Sequence, residues 1–290
     1  MDDYEPVDPP ELHSAAMFGM SGGQVEALIR GTPDVDGLWW GRTPLFEAVL
    51  NREPEIAGLL VAAGADPWLE QMDGWSPARL ALAGPEPGLF GPVPPEVCLT
   101  GEEQAAVSRA ERIIAVLAGE EPYAASFACV AEVGVAEVAR RLKGEPVEVG
   151  DFDEWVMEQG EAEDEVVGVT AVPGGCAVVR WNGFSASTPG VMALLTAGTR
   201  GYGMYGNPKS GNQGCWFRDG AELDSDLHPG GGQVSPDDTG DEVLRIFLYQ
   251  GHAMAYCCDV VGLEPRDARA FTGPPDLLLR LPAMEFWPAR

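Results

Sequence analysis

The sequence is short of positive charge. Of its 290 residues 18 are lysine or arginine against 46 aspartate or glutamate, and lysine occurs only at Lys143 and Lys209. The formal net charge is −28 and the sequence pI about 4.2. Phosphate backbones are bound by clustered cations, so the composition excludes a general nucleic-acid surface or an anionic-membrane surface. Long apolar runs are also lacking; no stretch approaches 18 apolar residues, which excludes a membrane-spanning helix. Met1-Asp2-Asp3-Tyr4-Glu5 has neither the positive start nor the apolar stretch of a signal peptide, so a cytoplasmic location is expected. The six cysteines (Cys98, Cys129, Cys176, Cys215, Cys257 and Cys258) are too sparse for a disulfide framework and are expected reduced. No Cys-x-x-Cys occurs and the three histidines, His13, His228 and His252, are scattered, so neither a metal nor another cofactor is expected.

What is present is the composition of a globular protein. Hydrophobic residues make up 45% of the chain, enough to bury a core despite the acidity. The length suggests two domains, placed at 1–120 and 121–290. Residues 1–120 carry 6 basic and 20 acidic side chains, and residues 121–290 carry 12 and 26, so each half has a charge of −14. Both halves are therefore expected to attract cationic partners, with a strength that salt weakens.

An internal period organises the first third. Gly41-Arg42-Thr43-Pro44-Leu45-Phe46-Glu47-Ala48 returns 33 residues later as Gly74-Trp75-Ser76-Pro77-Ala78-Arg79-Leu80-Ala81, and one further step back reaches Leu12 and Ala15. Thr43 and Ser76 are placed to cap helices whose first turns hold Pro44 and Pro77, where a missing N–H costs nothing. Leu45, Ala48 and Val49 share one helical face, and Pro54 opens a second helix with Ile56, Leu59 and Leu60 as its stripe. Gly64 ends that helix in an expected left-handed conformation. Gly84–Pro95, with five prolines, reads as an inserted loop, and Glu102–Gly119 as a degenerate last repeat.

These residues resemble ankyrin repeats over about residues 10–84. Phe46 departs from the family's usual histidine, and the first repeat lacks a Thr-Pro opening, as a capping repeat would. The resemblance implies stacked helix pairs whose hairpin tips and inner helices form a surface that binds other proteins. The positions that match this surface are Trp39, Trp40, Arg42, Phe46, Trp68, Met72, Asp73 and Trp75. Tryptophan and arginine are enriched at binding hot spots. The competing structural role is that one of the Trp39 and Trp40 rings covers the neighbouring domain or the repeat core.

Beyond Glu121 the period disappears. Helices are expected at Val133–Leu142, Val191–Ala197, Ser235–Tyr249 and His252–Val261. Strands are expected at Val166–Val172, Cys176–Trp181, Arg200–Gly206, Gly214–Arg218 and Leu277–Leu281. This predicts an α+β domain on an antiparallel sheet. Residues 151–165 hold eight acidic side chains around Phe152, Trp155, Val156 and Met157, read as a solvated loop or as a segment docking on a basic partner. The arrangement resembles an uncharacterised actinobacterial domain family. The residues that carry this likeness are Val135–Leu142, Val178-Val179-Arg180-Trp181-Asn182-Gly183-Phe184 and Ser187-Thr188-Pro189, and it implies a fold rather than an activity.

No catalytic set emerges. Gly201-Tyr202-Gly203-Met204-Tyr205-Gly206 has the spacing of a dinucleotide loop but lacks the strand-to-helix context, and Asn207-Pro208 follows where a helix would start. Lys209 does not follow a glycine directly, so no P-loop forms. His252 and Cys257 are five residues apart and fall on different helical faces. The sequence thus predicts a non-enzymatic protein-interaction module: an ankyrin-repeat stack followed by an α+β domain, acting as an acidic inhibitor or immunity-type protein on a basic toxin or effector. Two other readings stand beside it. One is an enzyme with a polar pocket near Tyr202, Tyr205, Asn207 and His228, within residues 170–260, to which the repeats recruit substrate. The other is an acidic nucleic-acid mimic.

Overall fold

The computed structural model describes residues 8–119, 125–158, 165–207 and 209–287. The start Met1–Glu5, the 120/121 boundary, residues 159–164 of the acidic run and Pro208 lie outside them. The chain forms two compact units, Met1–Ser108 with Gln233–Gln250, and Arg109–Gly232 with Gly251–Arg290. A single cut near residue 120 is therefore not what the fold uses, because 18 residues from far along the chain complete the first unit.

In the first unit the period returns as helices. These are α1 (Glu11–Met17), α2 (Gly22–Gly31), α3 (Pro44–Leu50), α4 (Pro54–Ala62) and α5 (Pro77–Ala81), and the unit boundary falls inside α6 (Gly101–Val116). Thr43 Oγ1 accepts from Phe46 N at 3.1 Å and Ser76 Oγ from Arg79 N at 3.1 Å, so both predicted caps form, with proline at the first helical position of each. Gly64 follows α4 at φ +101°, as expected of a left-handed helix stop. Helices α1, α3 and α5 pack in succession, while α2 packs on α1 and α4, and α4 on α3. Every residue of α3 is buried, the consequence of a helix with neighbours on all sides.

The second unit is built on one eight-stranded antiparallel sheet. Its strands are β1 (Ser126–Ala131), β2 (Glu145–Val147), β3 (Val166–Val172), β4 (Gly175–Arg180), β5 (Arg200–Asn207), β6 (Gly211–Arg218), β7 (Ala221–Asp226) and β8 (Leu277–Arg280). They lie in the order β2-β8-β3-β4-β1-β5-β6-β7. Helices α7 (Val135–Leu142) and α9 (Pro189–Leu195) bury Val138, Leu142, Met192 and Leu195 in one cluster with Ala128, Val130, Val178 and Phe217 of the sheet. The alternate residues of β1 face the other way: Phe127 meets Phe271 of α12 (Arg269–Thr272), and α11 (Ala253–Val261) packs on β1 and β5. Strand β1 is thus buried along its whole length and shows none of the alternation that marks a half-exposed strand. The fold is mixed α/β, with the sheet antiparallel as expected.

Two expectations are corrected. Residues Phe152–Glu158 form helix α8 rather than a loop, and Phe152 and Trp155 pack against Trp181 of their own unit (ring centroids 5.2 and 6.1 Å). The helix expected from Ser235 begins at Gly240, as α10 (Gly240–Tyr249). Thr239 caps it, while Asp238 closes a separate turn by accepting from Ser235 N. The glycine-spaced motif at 201–206 lies inside β5, in the strand expected there, where side chains at Gly201 and Gly203 would crowd Thr196, Met192 and Cys215.

Candidate functional site

Two turns of the first unit, 33 residues apart, share an unusual backbone. Trp40 and Gly41 have φ of +49° and +76°, and Asp73 and Gly74 have +49° and +83°. Left-handed conformation at both central positions is the type I′ pattern that joins antiparallel chain segments. Trp39 and Arg42 exchange backbone hydrogen bonds of 2.9 and 3.1 Å across the first turn, and Trp75 N donates to Met72 O across the second. Glycine and aspartate accept this conformation readily. For tryptophan it costs about 1–2 kcal/mol.

The first turn sends Arg42 inward. Its guanidinium is fully buried: Nε pairs with Glu47 Oε1 at 2.6 Å, and Nη1 donates to Val234 O at 2.5 Å. Burial pushes the Glu47 carboxyl above the usual glutamate value, and Arg42 offsets part of that rise. His13 Nε2 lies 3.0 Å from Arg42 O, and burial lowers the His13 pKa so that the ring is neutral at pH 7. Trp39 and Trp40 stack with centroids 4.9 Å apart and planes within 11°, and the Arg42 guanidinium sits 5.9 Å from the Trp39 ring. His13 Nδ1, Trp39 Nε1 and Arg42 Nη2 are buried without a hydrogen-bond partner.

The second turn grips α10. Trp75 Nε1 donates to Gly240 O at 2.9 Å, and Asp73 Oδ2 accepts from Gly240 N at 2.7 Å. The Arg79 guanidinium lies 4.2 Å from the Trp75 ring and pairs with both oxygens of Glu103 at 2.7 and 2.8 Å. At the other end of α10, Arg52 Nη2 donates to Phe247 O at 2.9 Å and to Leu248 O at 3.2 Å. Burial lowers the Arg52 pKa.

The eight expected contact residues therefore divide. Arg42, Phe46, Met72 and Trp75 are interior residues and, in this arrangement, present nothing to a partner: Phe46 belongs to the helix core, and Arg42 and Trp75 are spent on residues 233–250. Trp39, Trp40 and Trp68 are half-exposed, and Asp73 is exposed while holding Gly240. The sequence reading missed the role of residues 233–250. Its local signal was legible, since Thr239 and Glu242 form a capping box around the start of α10, but a cap does not say where a helix docks.

No protein-family model matches the chain, and no curated protein matches it.

In the second unit the polar residues expected around a pocket do not include Tyr202 on its wall, because that side chain is sealed in the sheet. Tyr202 is fully buried in β5, donates to Asp226 Oδ2 at 2.7 Å and meets Trp216 and Tyr256 edge-on; burial pushes its hydroxyl pKa up. A cavity of about 290 Å³ borders the expected region, lined by Ile114, Leu117, Asn212 (the β-partner of Gly206), Pro229 (next to His228), His252 and the first turn of α11. Cys257 Sγ is 3.6 Å from Met204 Sδ, and burial holds this thiol in its neutral form. A hydrogen bond with Cys129, together with burial, does the same for Cys258. Among the described residues no group of three His, Cys, Asp or Glu side chains is placed to hold a metal ion, and no helix is long and apolar enough to cross a membrane.

Proposed function

We propose that this chain is a non-enzymatic protein-interaction module, an ankyrin-like stack joined to an acidic α+β unit, that binds a protein with a basic surface. In this reading it acts in the cytoplasm as an inhibitor or immunity-type protein toward a basic toxin or effector. The observation that carries it is Trp40. A half-exposed aromatic ring is held on a left-handed backbone that disfavours it and stacked on a second tryptophan, at the tip of a turn. A strained position kept at the surface points to a binding role.

Charge supports the class of partner. All four cations of residues 1–108 are engaged within the unit: Arg42 and Arg79 by buried or half-buried carboxylates, Arg30 by Glu26, and Arg52 by the carbonyls of α10. The same residues carry 18 acidic side chains, so the surplus negative charge is left to the surface and to whatever approaches it. The test is affinity capture from cells of the source organism at low salt. It is followed by titration of the captured protein against the wild type and Trp40→Ala. A basic partner whose Kd weakens with rising salt and by about 100-fold in the variant is the expected result. Recovery of no stable protein partner overturns the proposal.

A further inference from the structure

Residues 233–250 are held by the first unit in the way a bound peptide is held. Arg42 takes the carbonyl of Val234, Trp75 and Asp73 take the carbonyl and the N–H of Gly240, and Arg52 takes the last carbonyls of α10. Each of these bonds joins a side chain of the stack to the main chain of the segment. Main-chain recognition fixes the path of an occupant and leaves most of its sequence open. Steric selection comes from two close approaches: a Cβ on Gly240 would sit 3.2 Å from both Asp73 Oδ2 and Trp75 Nε1, and the Phe247 ring lies where Gly84 has no side chain.

The segment is also constructed as a separable piece. Its helix is capped internally by Thr239 and Glu242, so α10 does not depend on the stack for its first turn. Its flanks are Gly230, Gly231 and Gly232 on one side and Gly251 on the other. Gly251 N donates to Gly230 O at 2.6 Å, which ties the two ends of the excursion together. The docked segment leaves Arg42 Nη2 and Gln250 Oε1 buried without partners. It also sets like charge on like charge: Asp237, Asp238, Asp241 and Glu242 against one Arg245 in the segment, and 18 acidic against 4 basic side chains in residues 1–108.

We propose that the turn face of the first unit is a peptide-binding site, that residues 233–250 are its resident ligand, and that a partner segment of the same pattern exchanges with them. The pattern is an extended stretch, then a Thr- or Ser-capped helix with glycine at its first position and an aromatic residue seven positions on. The proposal rests on the protein-interaction reading above. A tethered ligand has a high effective concentration, so the partner must bind the face more tightly than the segment does, and the segment acts as a threshold on binding.

A fluorescent synthetic peptide of residues 233–250, with blocked termini, tests this on the full-length chain. Phe247→Ala weakens the resident segment and leaves the face intact, so this variant is expected to bind the peptide at least tenfold more tightly than the wild type. Adding Asp73→Ala, or placing valine at position 240 of the peptide, is expected to reverse the gain. A hydrogen-exchange measurement on the wild type guards against a variant that fails to fold. With saturating peptide the amides of Val243–Leu248 are expected to lose protection while those of α3 keep theirs. If the α10 amides exchange only together with α3, with and without peptide, the segment is a fixed part of the fold and the proposal is overturned. A captured basic partner that binds wild type and Phe247→Ala equally also overturns the exchange, while leaving the interaction reading in place.

Discussion

The Arg42–Glu47 pair gives the most exacting test of how the first unit is held together. Both side chains are sealed from solvent and meet at 2.6 Å. Replacing Arg42 with methionine keeps much of the volume but leaves the Glu47 carboxylate buried without its cation, which costs about 3–5 kcal/mol. The same change orphans the Val234 carbonyl, a further cost of about 1–3 kcal/mol. Replacing both residues, Arg42→Met with Glu47→Leu, removes the stranded charge and is expected to cost only about 1–3 kcal/mol, so the double variant should be more stable than the single one. The pH dependence has a definite sign. Burial already raises the Glu47 carboxyl, and loss of Arg42 raises it further, so folding takes up a proton at this site. The penalty of Arg42→Met is therefore full above the raised folded value and shrinks as pH falls toward the ordinary glutamate range. Native-state hydrogen exchange of the α3 amides reads this unit alone, avoiding the two-state assumption for a two-unit chain. A loss of about 4 kcal/mol appears there as roughly 1,000-fold faster exchange at neutral pH. A double variant no more stable than Arg42→Met, or a single variant costing under about 1 kcal/mol, would refute the reasoning.

Other outcomes follow from the same structure. Trp40→Gly relieves a left-handed tryptophan, worth about 1–2 kcal/mol, and loses a ring stack worth about 0.5–1.5, so melting should show stability within about 1 kcal/mol of wild type while affinity for a captured partner falls about 100-fold. The Ala171 N–H and then Arg269 hold the Asp276 carboxyl below its usual range. Its contribution is present above the ordinary aspartate range and lost as pH falls through the folded value. Asp276→Asn should therefore flatten the acid limb of a stability–pH curve for the second unit, by less than about 1 kcal/mol at this partly exposed site. Titration of the native protein with a thiol reagent should modify exposed Cys98 first. Cys176 and Cys215, whose thiols burial pushes to about 11 and about 12, should react only on unfolding. Raising salt from 10 to 200 mM should raise the melting temperature, because self-repulsion at −28 is screened; a fall would show that the ion pairs outweigh it.

How far the sequence reached depends on the range of each interaction. The Thr43 and Ser76 caps, the left-handed Gly64 and the end of α7 at Leu142 were legible because residues within a few positions decide them. Strand β1 escaped the strand pattern, since burial on both faces removes the alternation by which a strand is recognised. Strand β7 was missed for the opposite reason: at a sheet edge its residues are mostly exposed, and Glu222, Asp224 and Asp226 give no apolar face to mark a strand.

The amino-acid sequence by itself determined the acidity, the 33-residue period, the helix starts and the tight turns, all set by composition or by nearest neighbours. Only the tertiary structure decided which surfaces those elements leave open. Trp75 and Arg42 looked like exposed anchors from their place in the turns. They are buried because a segment 165 and 192 residues further on offers carbonyls to their N–H groups. A buried donor must find an acceptor, and which distant chain supplies it is settled by the packing of the whole unit, not by any local pattern.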